Sequence, residues 1–341
     1  VIGYFFREGE EGQWMHYWGG SDPGQKNTLS DYSQPMQNYF KTWLRKKYSS
    51  AANLQKAWQD QRVTFESAKI PSRQERIAPS NGIFRVPAKN RQAIDYAEAL
   101  SDVICDGINY YGKIVKEETG NKRLSMAFYG HIIDLGAHFL GEQVGYLKQR
   151  AAIDSPYIDY FAGPISYARN FRDIGSPGSF DYPAPACLRL HNKLWLNEDD
   201  TRTHLTNPPG YAYSVRAPRQ TDEVMAREFA KALCAGAGLY WLNLSSGNRY
   251  WYDDLHSLQT IARLNRIGQN AVKGNLGSVS EVAMVMSDRS LLYLRQLKPR
   301  GRADTVMERA ILCQREAIAR LGAPFDEYLV DDFLNSDMPD Y

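Results

Sequence analysis

An α/β barrel is the fold class this sequence predicts, and three observations predict it. Strands, loops and helices recur in that order, with long loops after the strands and shorter returns. The stretch Lys193-Leu194-Trp195-Leu196-Asn197-Glu198-Asp199-Asp200-Thr201-Arg202 reads as a buried strand that breaks off in acids, and a barrel carries its chemistry at such strand ends. From about residue 279 the texture changes to a continuous apolar strand followed by an amphipathic helix, the opening of a second α/β domain. Five strands can be counted over residues 1–245, where a complete barrel has eight. The expectation is therefore a (β/α)8 TIM barrel truncated at its N-terminus over residues 1–275, its first three strands lying before Val1. Residues 276–341 would start the second domain.

Each element has a local reason. Val1–Phe6 is β-branched and aromatic and reads as a buried strand. Residues 7–33 form a loop rich in Gly, Trp and Asp, and loops of that length are usually functional. Ser33-Gln34-Pro35 opens a helix whose apolar face is Met36, Tyr39, Phe40, Trp43 and Leu44. Leu54–Trp58 is a second short helix, and residues 66–90 read as irregular surface. A long helix runs from Asn90 to Thr119 and stops at Gly120-Asn121. Further strands are expected at Leu124–Gly130, Ile158–Pro164, Leu194–Asn197 and Leu239–Asn243, then at Val279–Met286 and Phe325–Leu329. Helices are expected at Gln143–Ala151, Thr221–Gly236, Leu255–Gly268 and Val306–Leu321, with a Gly/Ser/Pro loop over 165–186.

Composition narrows the classes. The 341 residues are 43% hydrophobic, enough for a large core. Lys+Arg 41 against Asp+Glu 39 gives a formal charge of +2 and no charge block, so nothing directs the chain to nucleic acid or to an anionic membrane. No apolar run approaches the roughly 18 residues of a membrane span, and no signal peptide is visible. Both ends read as truncations, so the compartment stays open between cytoplasm and periplasm or secretion. Cys105, Cys187, Cys234 and Cys313 are far apart and read as thiols, not a disulfide framework.

Three acidic regions could supply an acid/base pair: Glu8-Gly9-Glu10-Glu11-Gly12-Gln13-Trp14, Glu198-Asp199-Asp200 and Asp253-Asp254. Glycoside hydrolysis needs two carboxyls facing one bond, one protonated and one ionised. A barrel can bring loops distant in sequence to one mouth. Against this, Asn197 or Asp199 could cap a helix, with the other acids favoured by its dipole, and Glu8, Glu10 and Glu11 could be a solvated loop. Trp14, Trp18, Trp241, Trp251 and Tyr252 lie near strand ends or loops and could stack on a pyranose; ordinary packing is the alternative, favoured for Trp241. No metal-ligand constellation and no nucleotide loop is present, so no cofactor and no metal are expected. Cys187 and His191 are four apart with no adjoining acid and read as structural.

In their order and spacing, several segments resemble glycoside hydrolase family 42 and its relatives, the β-galactosidase-like clan A barrels. Val1-Ile2-Gly3-Tyr4 is similar to the family's fourth strand, which carries the acid/base. Phe40-x-x-Trp43-Leu44-x-x-Lys47-Tyr48 with Leu54-x-x-Ala57-Trp58 is similar to the stretch that follows it. Asp159–Pro164 with Tyr167 resembles the sixth strand and its loop, and Glu198–Arg202 stands where the nucleophile strand ends. Arg227-Glu228-Phe229 and Gly236–Trp241 resemble the last helix and strand of the barrel, and Ser280–Ala283 the start of a flavodoxin-like, trimerisation-type domain.

The resemblance implies retaining hydrolysis of a β-galactoside-like or related glycan. Glu198 would be the nucleophile, about 5–5.5 Å from the acid/base carboxyl. Asn197, Asp199, Arg202, Tyr129, Trp14, Trp241 and Trp251 would contact substrate, and Asn197 or Arg202 would hold the nucleophile ionised. It also implies a carbohydrate as partner and a homo-oligomer of the full-length protein, a trimer being one form. The family's Asn-Glu pair is absent. Where a Gly-Glu-Trp-like motif is expected the chain reads Gly12-Gln13-Trp14. Gln cannot donate a proton as an acid, so either Glu10 or Glu11 takes the role or the chain is impaired at this step. A catalytically impaired sugar-binding barrel and an oligomerising interaction protein are the competing functions.

Overall fold

The computed structural model describes residues 1–9, 12–16, 29–78, 80–130, 144–167, 171–178, 180–181, 183–206, 215–246, 249–275, 277–294, 308–335 and 338–339. The chain forms two compact units, Val1–Ile158 with Ser287–Thr305 and Asp159–Met286 with Val306–Tyr341. They do not divide at 275/276. The segment expected to open a new domain is shared between them.

The first unit contains β1 (Gly3–Phe6), α1 (Gln34–Tyr48), α2 (Ala51–Trp58), α3 (Arg73–Ile77), α4 (Pro87–Glu118), β2 (Leu124–Phe128) and α5 (Gln149–Ile153). β1 and β2 pair in parallel, Gly3 opposite Leu124 and Phe6 opposite Ala127. α1 starts at Ser33, whose hydroxyl accepts from Met36 N (3.3 Å), with Pro35 in the first turn where no amide is missed. Its apolar face, Met36, Phe40, Trp43 and Leu44, packs with Leu54, Tyr96 and Leu100 of α2 and α4. α3 lies inside the stretch expected to be irregular. A capping box explains it: Ser72 and Glu75 satisfy each other's backbone N–H groups. Ser287–Thr305 joins this unit through Arg85 N to Tyr293 O (2.8 Å) and Gln149 N to Asp288 Oδ2 (3.0 Å).

The second unit contains β3 (Tyr160–Pro164), α6 (Pro185–Leu190), β4 (Leu194–Asp199), α7 (Pro218–Cys234), β5 (Gly238–Trp241), the short hairpin strands β6 (Ser245–Ser246) and β7 (Arg249–Tyr250), and α8 (Leu255–Ala271). After these come β8 (Val282–Met286), α9 (Gln314–Leu321), β9 (Phe325–Leu329) and α10 (Val330–Leu334). β3, β4 and β5 are parallel neighbours in that order. Parallel strands joined by helices are what the strand–loop–helix pattern predicts. β8 and β9 form a separate parallel pair. Their surroundings hold them to the second unit: Arg189 of α6 pairs with Asp326 of β9 (3.0 Å), and Arg315 of α9 donates to Asp181 O (2.7 Å). Among the described residues, no helix is long and apolar enough to cross a membrane.

Candidate active site

β4 runs two residues further than the sequence suggests, so Glu198 and Asp199 belong to the strand and the helix-cap reading falls away. Side chains alternate along a strand. Trp195, Asn197 and Asp199 share one face, Leu196 and Glu198 the other. Register extends this across the sheet: Glu198 lies beside Pro164 of β3 and Tyr240 of β5, while Asp199 lies beside Trp241.

Glu198 is 7% exposed, and its Oε2 accepts a hydrogen bond from the Tyr240 hydroxyl. Such a donor stabilises the ionised carboxylate. Nothing in the sequence pattern singled out Tyr240; only the β4–β5 register shows it opposite Glu198.

The next acid is differently served. Asp200 accepts from Tyr167 Oη (2.6 Å), from Arg202 Nη1 (2.9 Å) and from Nη1 of the fully buried Arg172. Burial pushes this carboxyl up, but the two guanidiniums and the Tyr167 hydrogen bond more than offset it and hold the group below its ordinary value. Arg172 also donates to Ser166 O (3.0 Å) and lies 3.8 Å from the Tyr167 ring centroid. Arg172 and Tyr167 thus belong to this end of the strand, with Arg172 unremarked in the sequence.

Several expected contacts are corrected. Asn197 faces away from Glu198; its Oδ1 accepts from Trp195 Nε1 (2.7 Å). Asp199 is on that same face, fully buried, with Oδ1 accepting from Thr201 N (2.8 Å). Burial, reinforced by the negative charge of Glu228, raises the Asp199 carboxyl to about 7. Arg202 pairs with Asp200 (2.9 Å), and its guanidinium lies 4.4 Å from the Trp251 ring centroid. Trp251 is itself buried in a cluster with Met225, Tyr252 and Leu264. Trp241 packs edge-on against Tyr252 (5.9 Å) and also borders a cavity of about 500 Å³ with Tyr240, Asn243 and Asp253.

The first unit holds the other candidates. Trp14 is 4% exposed, its indole N–H bonded to Phe6 O (3.2 Å) and its ring packed edge-on against Phe6 and Tyr111. Its φ of 55° is a conformation bulky residues rarely adopt. Tyr129 is buried, its hydroxyl 3.8 Å from Cys105 Sγ and its ring edge-on to Tyr146. Both side chains are buried, Trp14 4% and Tyr129 2% exposed. Gln13 O accepts from Tyr146 Oη. Glu10, Glu11 and Trp18 lie outside the described residues. Cys187 and His191, read as structural for want of an acid nearby, meet one in the fold: His191 Nε2 lies 2.8 Å from Asp332 Oδ1.

No protein-family model matches the sequence, and no curated protein matches it. Solved structures do. A β-galactosidase from the psychrophilic Marinomonas ef1 superposes with a TM-score of 0.58 at 13% identity, over 89% of this chain and 47% of its own. A GH42 β-galactosidase gives 0.57 at 14%, over 91% and 46%. The β-galactosidase from Bacillus circulans sp. alkalophilus gives 0.56 at 14%, over 92% and 46%. The fold is TIM-barrel-like. This chain spans less than half the length of each of those enzymes.

Proposed function

We propose that this chain carries the nucleophile side of a retaining glycosidase site for a β-galactoside-like glycan. The observation that carries the reading is Glu198 at the C-terminal end of a parallel strand, nearly enclosed and held by the Tyr240 hydroxyl. The likeness of fold to β-galactosidases supports it. Glu198 attacks the anomeric carbon; Glu10 or Glu11 protonates the leaving oxygen, then takes a proton from the water that releases the sugar. Tyr240 acts as a positioning residue that keeps Glu198 ionised. Among the described aromatic candidates Trp241 and Tyr252 border a cavity with Asn243 and Asp253, but the strand register sets Trp241 on the Asp199 face of the sheet, so no aromatic platform is assigned to the sugar beside Glu198. The whole enzyme is a homo-oligomer in this reading.

The test is hydrolysis of a panel of aryl glycosides by the full-length parent and by its Glu198→Ala variant. The variant should lose at least about 10³-fold in kcat, the scale of a removed covalent nucleophile, with azide restoring turnover. Unchanged turnover would remove Glu198 from the chemistry. A second reading is favoured by Gln13, an amide where the resemblance leads one to expect a carboxyl: a barrel that binds sugar without cleaving it. Binding without turnover, and turnover gained in Gln13→Glu, would select that reading.

A further inference from the structure

Away from Glu198, three side chains that the sequence scatters come together in the second unit. Cys187 lies in α6, His191 caps its C-terminus, and Asp332 lies in α10. Their ligand atoms, one thiol sulfur, one imidazole nitrogen and one carboxylate oxygen, all lie within 4.8 Å of one another. Cys187 and Asp332 are fully buried, and the His191 side chain is 16% exposed. We propose that Cys187, His191 and Asp332 bind one divalent transition metal of the zinc class, clipping α10 onto α6.

The donor set fits that class. Thiolate and imidazole select zinc-like metals over magnesium or calcium, and three protein ligands leave a fourth tetrahedral position for water. The partly exposed edge of His191 is where solvent can reach it. Charge fits as well. A thiolate and a carboxylate with a neutral imidazole balance a dication, whereas two bare anions in this buried position would be costly. The four-residue spacing of Cys187 and His191 sets them one helical turn apart on the same side of α6. Asp332 is oriented by a second contact, since its Oδ2 accepts from Leu329 N (3.0 Å) while Oδ1 faces His191. Metal ligands are commonly fixed in this way by a backbone partner. At zinc bond lengths of about 2.0–2.3 Å tetrahedral ligand atoms stand roughly 3.3–3.6 Å apart, so the metal would enter by opening the His191–Asp332 contact from 2.8 Å and bringing all three atoms from their present spread of up to 4.8 Å to that spacing, a movement within reach of side-chain rotation. The thiol sulfur is buried, so a role as a nucleophile toward a bulky substrate is excluded.

The experiment uses the chain as it stands, with cobalt(II) as the spectroscopic probe and zinc as the competitor. One equivalent of cobalt per chain should give a thiolate-to-metal charge-transfer band and the intense visible bands of four-coordinate cobalt, and zinc should bleach both. Cys187→Ser should abolish the charge-transfer band. Cys234→Ser and Cys313→Ser should leave it unchanged. Asp332→Asn, whose amide oxygen can still accept from Leu329 N, should weaken binding at least tenfold. X-ray absorption on the zinc-loaded wild type should show one sulfur ligand, which decides the matter even if Cys187→Ser does not fold. No charge-transfer band at saturating cobalt, no sulfur ligand to zinc, or a band that persists in Cys187→Ser would overturn the site and leave a hydrogen-bonded staple between two helices. None of these readouts depends on glycosidase activity.

Discussion

A hydrogen bond at Tyr240 and burial at Asp199 act on carboxylate ionisation in opposite directions, and each gives a prediction for one residue. The Tyr240 O–H favours the charged form of Glu198. Tyr240→Phe deletes that donor and little volume, so the acidic limb of kcat/KM should move to higher pH while the alkaline limb stays. An unmoved acidic limb would show that the hydrogen bond does not set the ionisation of Glu198. Asp199 is a buried acid on the far face of the same strand, raised from 3.8 to about 7 first by burial and then by Glu228. The folded form therefore holds a proton that the unfolded chain has released between those two values. The stability this provides is complete below pH 3.8 and is lost as pH rises to about 7. Asp199→Asn removes the titration. Its urea midpoint, compared with the wild type, should gain steadily between pH 4 and pH 8, and parallel profiles would refute this. The local sequence could not separate these two carboxylates. Three acids in a row look alike until a strand assigns alternate ones to opposite faces.

Among elements, Asp95 shows how a motif can have a structural basis. It is fully buried in α4 and accepts from Lys47 Nζ (3.0 Å) and Tyr48 Oη (2.7 Å) of α1 and from Trp58 Nε1 (2.8 Å) of α2, while Arg91 one turn earlier pairs with it at 3.0 Å. Lys47, Tyr48 and Trp58 are part of the pattern by which the sequence resembles the β-galactosidase-like barrels. In this fold they dock two helices on a third. Asp95→Ala leaves half-buried donors without this acceptor and should cost about 1–3 kcal/mol, measured by urea unfolding; a loss under about 1 kcal/mol would mean that water replaces the carboxylate. The long periodic helix α4 and the apolar strands were legible because their patterns are long or continuous. α3 was not: its five residues are fixed by the Ser72–Glu75 box inside a Pro- and Arg-rich stretch that reads as loop. The start of α6 was hidden within a Gly/Ser/Pro run. The meeting of His191 with Asp332 was illegible for a different reason, since 141 positions separate them and neither stands in a motif.

At the scale of the whole molecule, each unit leaves apolar surface uncovered. In the first, Val1 (83%) and Ile2 (82%) lead into β1, where Tyr4 and Phe5 are also exposed. In the second, α8 exposes Leu255 (72%), Leu258 and Ile267, Val272 is exposed just past its end, and β8 exposes Val282 and Val285. Single exposed apolar residues are ordinary on soluble proteins, whereas runs on one strand or one helix invite association. The contrast with β9 is instructive: in the same strand pair its last four residues are all buried, so pairing alone does not bury a strand and only the covered face contributes. A chain of 341 residues with these surfaces should not remain monomeric. Light scattering on the purified chain should show mass rising with concentration, with binding of a hydrophobic dye that falls as the mass rises. Replacing Val1, Ile2 and Leu255 by Lys, Glu or Gln, changes at surface positions that remove no packed side chain, should reduce both signals together. A constant monomeric mass, or association untouched by those substitutions, would show that these exposed residues do not drive contact between copies.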